Sequence, residues 1–297
     1  MRLRAGGEGK SYLALTVDLG NTRAKLCLFD LGIPGAGGSG AVTGEPIRSS
    51  VFPWSAREGT IDALGRWIAE SRVELEREIG LAVLSSVAGA QRTEDVCSEL
   101  ERAQVASICL APEAGVANET LTPATVGHDR LFGARAAADW LRARPASLRA
   151  PGVLVVDAGT ALTVDAVLLT KAGEARFLGG AIAPGPALLG EALARGAANL
   201  PDIKPHPGAS AFGRDTPGAI QAGVVVGFRG AAARLVEELG QATGLGAAPI
   251  LVTGGARSFL FEPDPFLLDR ELVVDAWLVE RGLLAAAHSA QLGVERR

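Results

Sequence analysis

Leu13-Ala14-Leu15-Thr16-Val17-Asp18-Leu19-Gly20-Asn21-Thr22 and Val153-Leu154-Val155-Val156-Asp157-Ala158-Gly159-Thr160 share one pattern, an apolar run that ends in Asp-x-Gly and a polar residue. A second apolar run follows each, Ala24 to Phe29 in the first copy and Leu162 to Leu169 in the second. An apolar run interrupted by aspartate and glycine and then resumed reads as strand, turn, strand. The copies stand about half the chain apart, so one unit has been used twice, once per domain. Two such turns facing each other would clamp a polyphosphate.

The rest of the chain agrees with two α/β halves. At 297 residues and 48% hydrophobic side chains, it has enough apolar surface for a large core and the size of about two domains. After the opening hairpin comes a Gly-rich loop over Gly32 to Pro46, then helical spacing over Ala56 to Ile79 (Ile61, Leu64, Trp67, Ile68, Leu75). A short buried strand is expected over Leu81 to Leu84, a helix near Thr93 to Ala103, and another from about Asp129 to Ala143. Arg144-Pro145 through Pro151-Gly152 breaks the periodicity and marks the boundary, giving domains 1–150 and 151–297. The second half repeats the order: a strand to Asp157, strands Leu162 to Leu169 and Ala175 to Leu178, helices Pro186 to Ala198 and Pro217 to Leu239, and a late strand Ile250 to Thr253. Helix 217–239 is rich in Ala and Gly on one side, a face suited to a second subunit.

Composition excludes several classes. With 29 basic and 33 acidic residues, a net charge of −4 and no Lys/Arg block, no nucleic-acid footprint is visible. Cys27, Cys97 and Cys109 are odd in number and widely spaced, as expected of reduced thiols in a cytoplasmic chain. The three scattered histidines, His128, His206 and His288, argue against a His-rich metal centre. Arg2 and Arg4 precede an apolar run too short for a signal peptide, and Phe177 to Gly190 is too broken by Pro and Gly for a membrane span. No export and no membrane association are expected.

The chemistry concentrates in a few places. At a strand end Asp18 can hold Mg²⁺ directly or through water, Gly20 lets backbone approach phosphate, and Asn21 and Thr22 add donors. Lys25 on the return strand supplies a point positive charge for phosphoryl oxygens. Singly, Asp-x-Gly-Asn is also good turn chemistry; the recurrence is what favours a site. The second copy, with Thr160 and without a lysine, suits the far side of a nucleotide or a monovalent cation at Asp157. Gly127-His128-Asp129-Arg130 opens a helix, where Asp129 is either an N-terminal cap or the base that takes a proton from an attacking alcohol beside Arg130. Gly179 to Gly185 reads as a strand-to-helix joint of low bulk, and Thr253-Gly254-Gly255 as a nucleoside turn. Thr216, behind Gly213-Arg214-Asp215, offers a hydroxyl at the start of a long helix.

In this order the motifs resemble those of the type III pantothenate kinases, coenzyme A pathway enzymes of the acetate and sugar kinase, Hsp70 and actin superfamily. Asp18-x-Gly-Asn-Thr is similar to that family's first phosphate motif, Gly127-x-Asp129-Arg130 to its acceptor motif and Asp157-x-Gly-Thr-Ala-x-Thr163 to its second phosphate motif. The resemblance implies two ribonuclease H-like domains with a central cleft, and ATP-dependent phosphorylation of pantothenate to 4'-phosphopantothenate. It implies Asp129 as catalytic base, with Gly127, His128, Arg130 and Thr216 on the pantothenate side. Asp18 would place Mg²⁺; Asp18, Gly20, Asn21, Thr22, Lys25, Thr160, Thr253, Gly254 and Gly255 would hold ATP; Asp157 would bind K⁺ or NH₄⁺. It further implies a homodimer, with Thr216 reaching pantothenate across the interface.

One stretch departs from the family pattern: where Tyr-x-Asn-Pro often precedes the acceptor motif, this chain has Thr120-Leu121-Thr122-Pro123, and its single tyrosine is Tyr12. The alternatives are therefore a kinase of another small alcohol, or a non-catalytic, transcription-accessory member of the family. Retention of Asp18, Lys25 and Asp129 favours an active site.

Overall fold

Along the first strand, side chains alternate between two buried faces, as a strand covered on both sides requires. Leu13, Leu15, Val17 and Leu19 join one apolar cluster, while Ala14 joins a second with Cys27 and Phe29. The computed structural model describes residues 13–30, 44–54, 57–105, 108–110, 113–208 and 210–295. Most of the Gly-rich loop expected over 32–46 lies outside them.

The chain divides into two compact units, neither continuous in sequence. One takes residues 1–116, 124–136 and 277–297; the other takes 117–123 and 137–276. The boundary expected near residue 150 therefore falls inside the second unit, and the chain's last segment groups with the first.

The first unit holds β1 (Leu13–Leu19), β2 (Arg23–Asp30), β3 (Arg48–Pro53), α1 (Arg57–Leu75), β4 (Ile79–Ser86), α2 (Ala90–Arg102) and β5 (Ile108–Leu110). Its sheet runs β3-β2-β1-β4-β5, with β1 and β2 antiparallel and β4 and β5 parallel to β1. Helices α1 and α2 cover one face through Ile61, Leu64, Trp67, Ile68, Val96 and Leu100. On the other face, Phe132 of α3 (His128–Ala143) meets Leu283, Leu284 and Ala287 of α7 (Leu278–Glu295). A Cβ on Gly282 would lie 1.8 Å from the Phe132 carbonyl, so glycine is what lets α7 rest on α3.

The second unit repeats that plan. Its strands are β6 (Ala117–Asn118), β7 (Gly152–Ala158), β8 (Ala161–Leu169), β9 (Ala175–Pro184), β10 (Ile250–Thr253) and β11 (Leu272–Val274). They run β11-β10-β7-β8-β9-β6, which is the first sheet's order with β6 added at the edge. Its helices are α4 (Pro186–Gly196), α5 (Thr216–Thr243) and the short α6 (Ser258–Phe261). Val225, Phe228, Ala232 and Val236 of α5 pack on Leu154, Val156, Leu162 and Val164. Among the described helices α5 alone is long and apolar enough to cross a membrane, and these packed residues make it a core helix.

The joint expected over Gly179 to Gly185 is instead mostly strand. β9 continues to Pro184, with Gly179 at φ 100° where the β8 register shifts between Ala166 and Val167. Glycine supplies the bulge conformation a larger residue resists.

Candidate active site

The first turn is held by groups distant in sequence. Asp18 and Lys25 are register partners across β1 and β2, and the Gly20 N–H donates to the Arg23 carbonyl at 2.9 Å to close the turn. The Trp54 indole donates to the Gly20 carbonyl at 2.8 Å and the Trp54 N–H donates to the Thr22 carbonyl at 3.0 Å. Arg92 donates to the Asn21 carbonyl at 3.1 Å while its guanidinium lies 5.1 Å from the centre of the Trp54 ring. With the turn's carbonyls so engaged, Asn21 and Thr22 stand exposed at its tip.

Lys25 sits among groups that the first hairpin does not contain. Glu280 of α7, 1% exposed, places a carboxylate oxygen 2.7 Å from its Nζ, and the Trp277 ring centre lies 4.5 Å from the same ammonium. Ser85 of β4 is the parallel register neighbour of Asp18; its Oγ is buried and lacks a hydrogen-bond partner, as does the second carboxylate oxygen of Glu280. Cys27 is buried nearby. Burial first, and the Glu280 charge second, push its thiol well above the usual range, so it stays a neutral packing group.

At the start of α3 the Leu131 N–H donates to the Gly127 carbonyl, which makes Gly127 and not Asp129 the capping position. Asp129 lies inside the first turn, half-buried, its Oδ1 accepting from the Arg130 N–H at 2.9 Å. A Cβ on Gly127 would stand 2.4 Å from that same oxygen, so glycine is required for the carboxylate to fold back here. His128 turns its ring edge toward Phe132, with centroids 6.3 Å apart.

Asp18, Gly20, Asn21, Thr22, Lys25, Gly127, His128, Asp129 and Arg130 belong to the first unit; Asp157, Thr160, Thr216, Thr253, Gly254 and Gly255 belong to the second. In the second hairpin Asp157 pairs with Thr163, so Thr163 occupies the place Lys25 holds in the first. This turn is packed more tightly than its counterpart. Thr253, 3% exposed, is the parallel partner of Asp157, and Gly254 at φ 94° approaches so closely that a Cβ would be 2.4 Å from the Asp157 carboxylate. The Ala256 N–H donates to the Ala158 carbonyl at 2.7 Å, and the Gly185 N–H to the Thr160 carbonyl at 3.0 Å. Thr253-Gly254-Gly255, α6 and the Asp157 turn thus form one structure.

Thr216 begins α5 behind its true cap, Asp215, whose carboxylate accepts from the Gly218 N–H at 2.7 Å. Thr216 lines an open depression of about 560 Å³ with Leu193, Leu200, Arg214 and Ile220. Thr120, which departs from the family pattern, gives its hydroxyl to the Asn118 side chain at 2.8 Å. Trp54, Arg92, Trp277 and Glu280 escape a motif reading, because each meets its turn through a long-range contact that no local spacing encodes.

Two sheets of like order, each with an Asp-x-Gly hairpin at its centre, define a duplicated α/β protein of the ribonuclease H-like fold. Residues 14–238 match the family model described as type III pantothenate kinase. The chain is 37% identical over 251 residues to the type III pantothenate kinase of Halorhodospira halophila, covering 82% of this chain and 87% of that one. It is 33% identical over 279 residues to that of Methylibium petroleiphilum, covering 92% and 97%. A solved structure of a reductive activator for a corrinoid, iron-sulfur protein shares the fold, with TM-score 0.50, 12% identity, and coverage of 98% of this chain and 63% of that one. The chain belongs to the type III pantothenate kinase family.

Proposed function

We infer that the protein transfers the γ-phosphoryl group of ATP to the primary hydroxyl of pantothenate, giving 4'-phosphopantothenate and ADP, the first step of coenzyme A synthesis. The observation that carries this reading is the Asp18–Lys25 register pair at the centre of the first sheet, a carboxylate and a point positive charge on one turn. Phosphoryl transfer needs mainly positioning and charge, and these groups supply both.

In this reading Asp129 accepts the hydroxyl proton as the pantothenate oxygen forms its bond to the γ-phosphorus and the bond to the ADP oxygen breaks. Gly127, His128 and Arg130 flank that acceptor, and Thr216 offers it a hydroxyl. Gly20, Asn21, Thr22 and Lys25 take the phosphates; Thr160, Thr253, Gly254 and Gly255 take the rest of the nucleotide. ATP chemistry in this family uses a divalent metal. Among the described residues no three or more His, Cys, Asp or Glu side chains come together as a metal site. Mg²⁺ keeps waters and phosphate oxygens around one or two carboxylates, so the Asp18 carboxylate beside the phosphate turn would be enough to place it. Asp157 takes K⁺ or NH₄⁺.

The protein acts as a homodimer. Gly223, Val226, Gly227 and Gly230 form an exposed face of α5, and a Cβ at any of the three glycines meets nothing within 4 Å. The reaction belongs to the cytoplasm, in keeping with the free thiols of Cys27 and Cys97.

A coupled ADP-release assay on pantothenate, run with and without K⁺ and with the product weighed by mass spectrometry, tests the whole reading. Turnover of another small alcohol with none of pantothenate would replace the acceptor. Transfer to no acceptor would favour a non-catalytic role.

A further inference from the structure

Lys25 does not stand alone at the end of the first sheet. Its ammonium is 2.7 Å from Glu280 and 4.5 Å from the Trp277 ring centre, and both partners come from the start of α7, at the far end of the sequence. Trp277 and Glu280 are three residues apart, so they present one face, and the Arg281 N–H donates to the Trp277 carbonyl to begin the helix there. Further along α7, Leu283, Leu284 and Ala287 are core residues. An aliphatic side chain at 280 would continue that core without desolvating a charge, and a buried ion pair is seldom a net gain in stability. The carboxylate is kept at 1% exposure, with one oxygen on Lys25 and the other lacking a hydrogen-bond partner. Its evident use is to hold the lysine. A lysine stem is flexible and its ammonium is a point charge, so the Glu280 carboxylate and the Trp277 face help fix where that charge sits.

We propose that Glu280 is a positioning residue, which through Lys25 holds the positive charge of the first phosphate turn where the transferred phosphoryl group needs it. The proposal rests on the kinase reading, in which Lys25 meets the phosphates. It carries a distinctive sign. With Lys25 present, loss of Glu280 releases the ammonium and slows transfer. With Lys25 absent, Glu280 is a buried carboxylate without its counter-ion, repelling an anionic nucleotide, and its loss should help.

The test is a double-mutant cycle of wild type, Glu280→Ala, Lys25→Met and the double variant. Three quantities are measured on each: kcat and KM for ATP with pantothenate as acceptor, and the affinity for AMPPNP, a non-hydrolysable analogue, in the presence of Mg²⁺ by calorimetry. Glu280→Ala should lower kcat about 10-fold, within the range known for misplaced catalytic groups. In the Lys25→Met background the same change should leave kcat/KM unchanged or raised, and should tighten AMPPNP binding. Equal losses in both backgrounds, or wild-type kinetics in Glu280→Ala, overturn the proposal. Should Glu280→Ala fail to melt cooperatively, Glu280→Gln, which keeps shape without charge, enters the same cycle. If the wild type leaves pantothenate untouched, the kinase reading falls; the calorimetric cycle still decides the coupling, and additive effects there overturn it.

Discussion

Asp129 is a residue whose position admits two uses, one structural and one chemical, and the two predict different measurements. Its position invites a capping role, yet the capping position belongs to Gly127, and the carboxylate sits within the first turn, half-buried, bonded to the Arg130 N–H. A cap would be expected to stabilise the helix by about 1 kcal/mol; a base would be expected to change turnover. Asp129→Asn keeps the shape and removes the basic oxygen. It should lower kcat by roughly 10²-fold or more, the ordinary scale for a lost general base, while calorimetry still finds nucleotide binding. Normal turnover would return the residue to a helix-terminal role. Asp157 separates from it by a different readout. Asp157→Ala should flatten the activation by K⁺, so an unchanged K⁺ titration would move the monovalent cation elsewhere.

At the scale of elements, glycine decides which segments meet. Gly254 follows β10 with φ 94°, and a Cβ there would lie 2.3 Å from the Ala158 carbonyl. Gly254→Ala therefore has both a strained conformation and a backbone clash to relieve, at about 1–3 kcal/mol. The melting temperature should fall, and nucleotide affinity with it, since the Asp157 turn must shift. Gly196→Ala, at the end of α4 with nothing within 4 Å, serves as the control and should stay within about 0.5 kcal/mol of wild type. Equal melting of the two variants would remove the tight contact. Elements of this kind also mark what the sequence makes legible. The hairpins were readable because apolar runs around Asp-x-Gly are local patterns. Most of β9 was not, because Gly179, Gly180 and Pro184 carry turn composition, and only pairing with β8 makes them strand. Helix α7 and its Glu280 are not legible for a related reason: a glutamate in an apolar run reads as a solvated helix residue until its lysine partner, 255 positions earlier, is seen beside it.

For the whole molecule the repeat is deeper than its motifs. Both sheets keep one strand order, and Asp18–Lys25 and Asp157–Thr163 fall at equivalent register positions, so the halves diverged by side chain within a shared frame. Family membership follows from the length of the match, residues 14–238. The exposed glycines of α5 bear on assembly. A glycine inside a helix costs about 0.5–1 kcal/mol relative to alanine, and Gly223, Gly227 and Gly230 all lie exposed on this one helix beside Val226. Helix packing against a second copy would offset that cost, since small residues admit close backbone approach; water alone would not. Gly227→Arg introduces a good helix former into open space, so the fold itself should be as stable as before or more so. Sedimentation equilibrium should find a dimer for the wild type and a monomer for the variant, with circular dichroism unchanged. A wild-type monomer, or a variant that remains dimeric, would show that this face of α5 is not the interface.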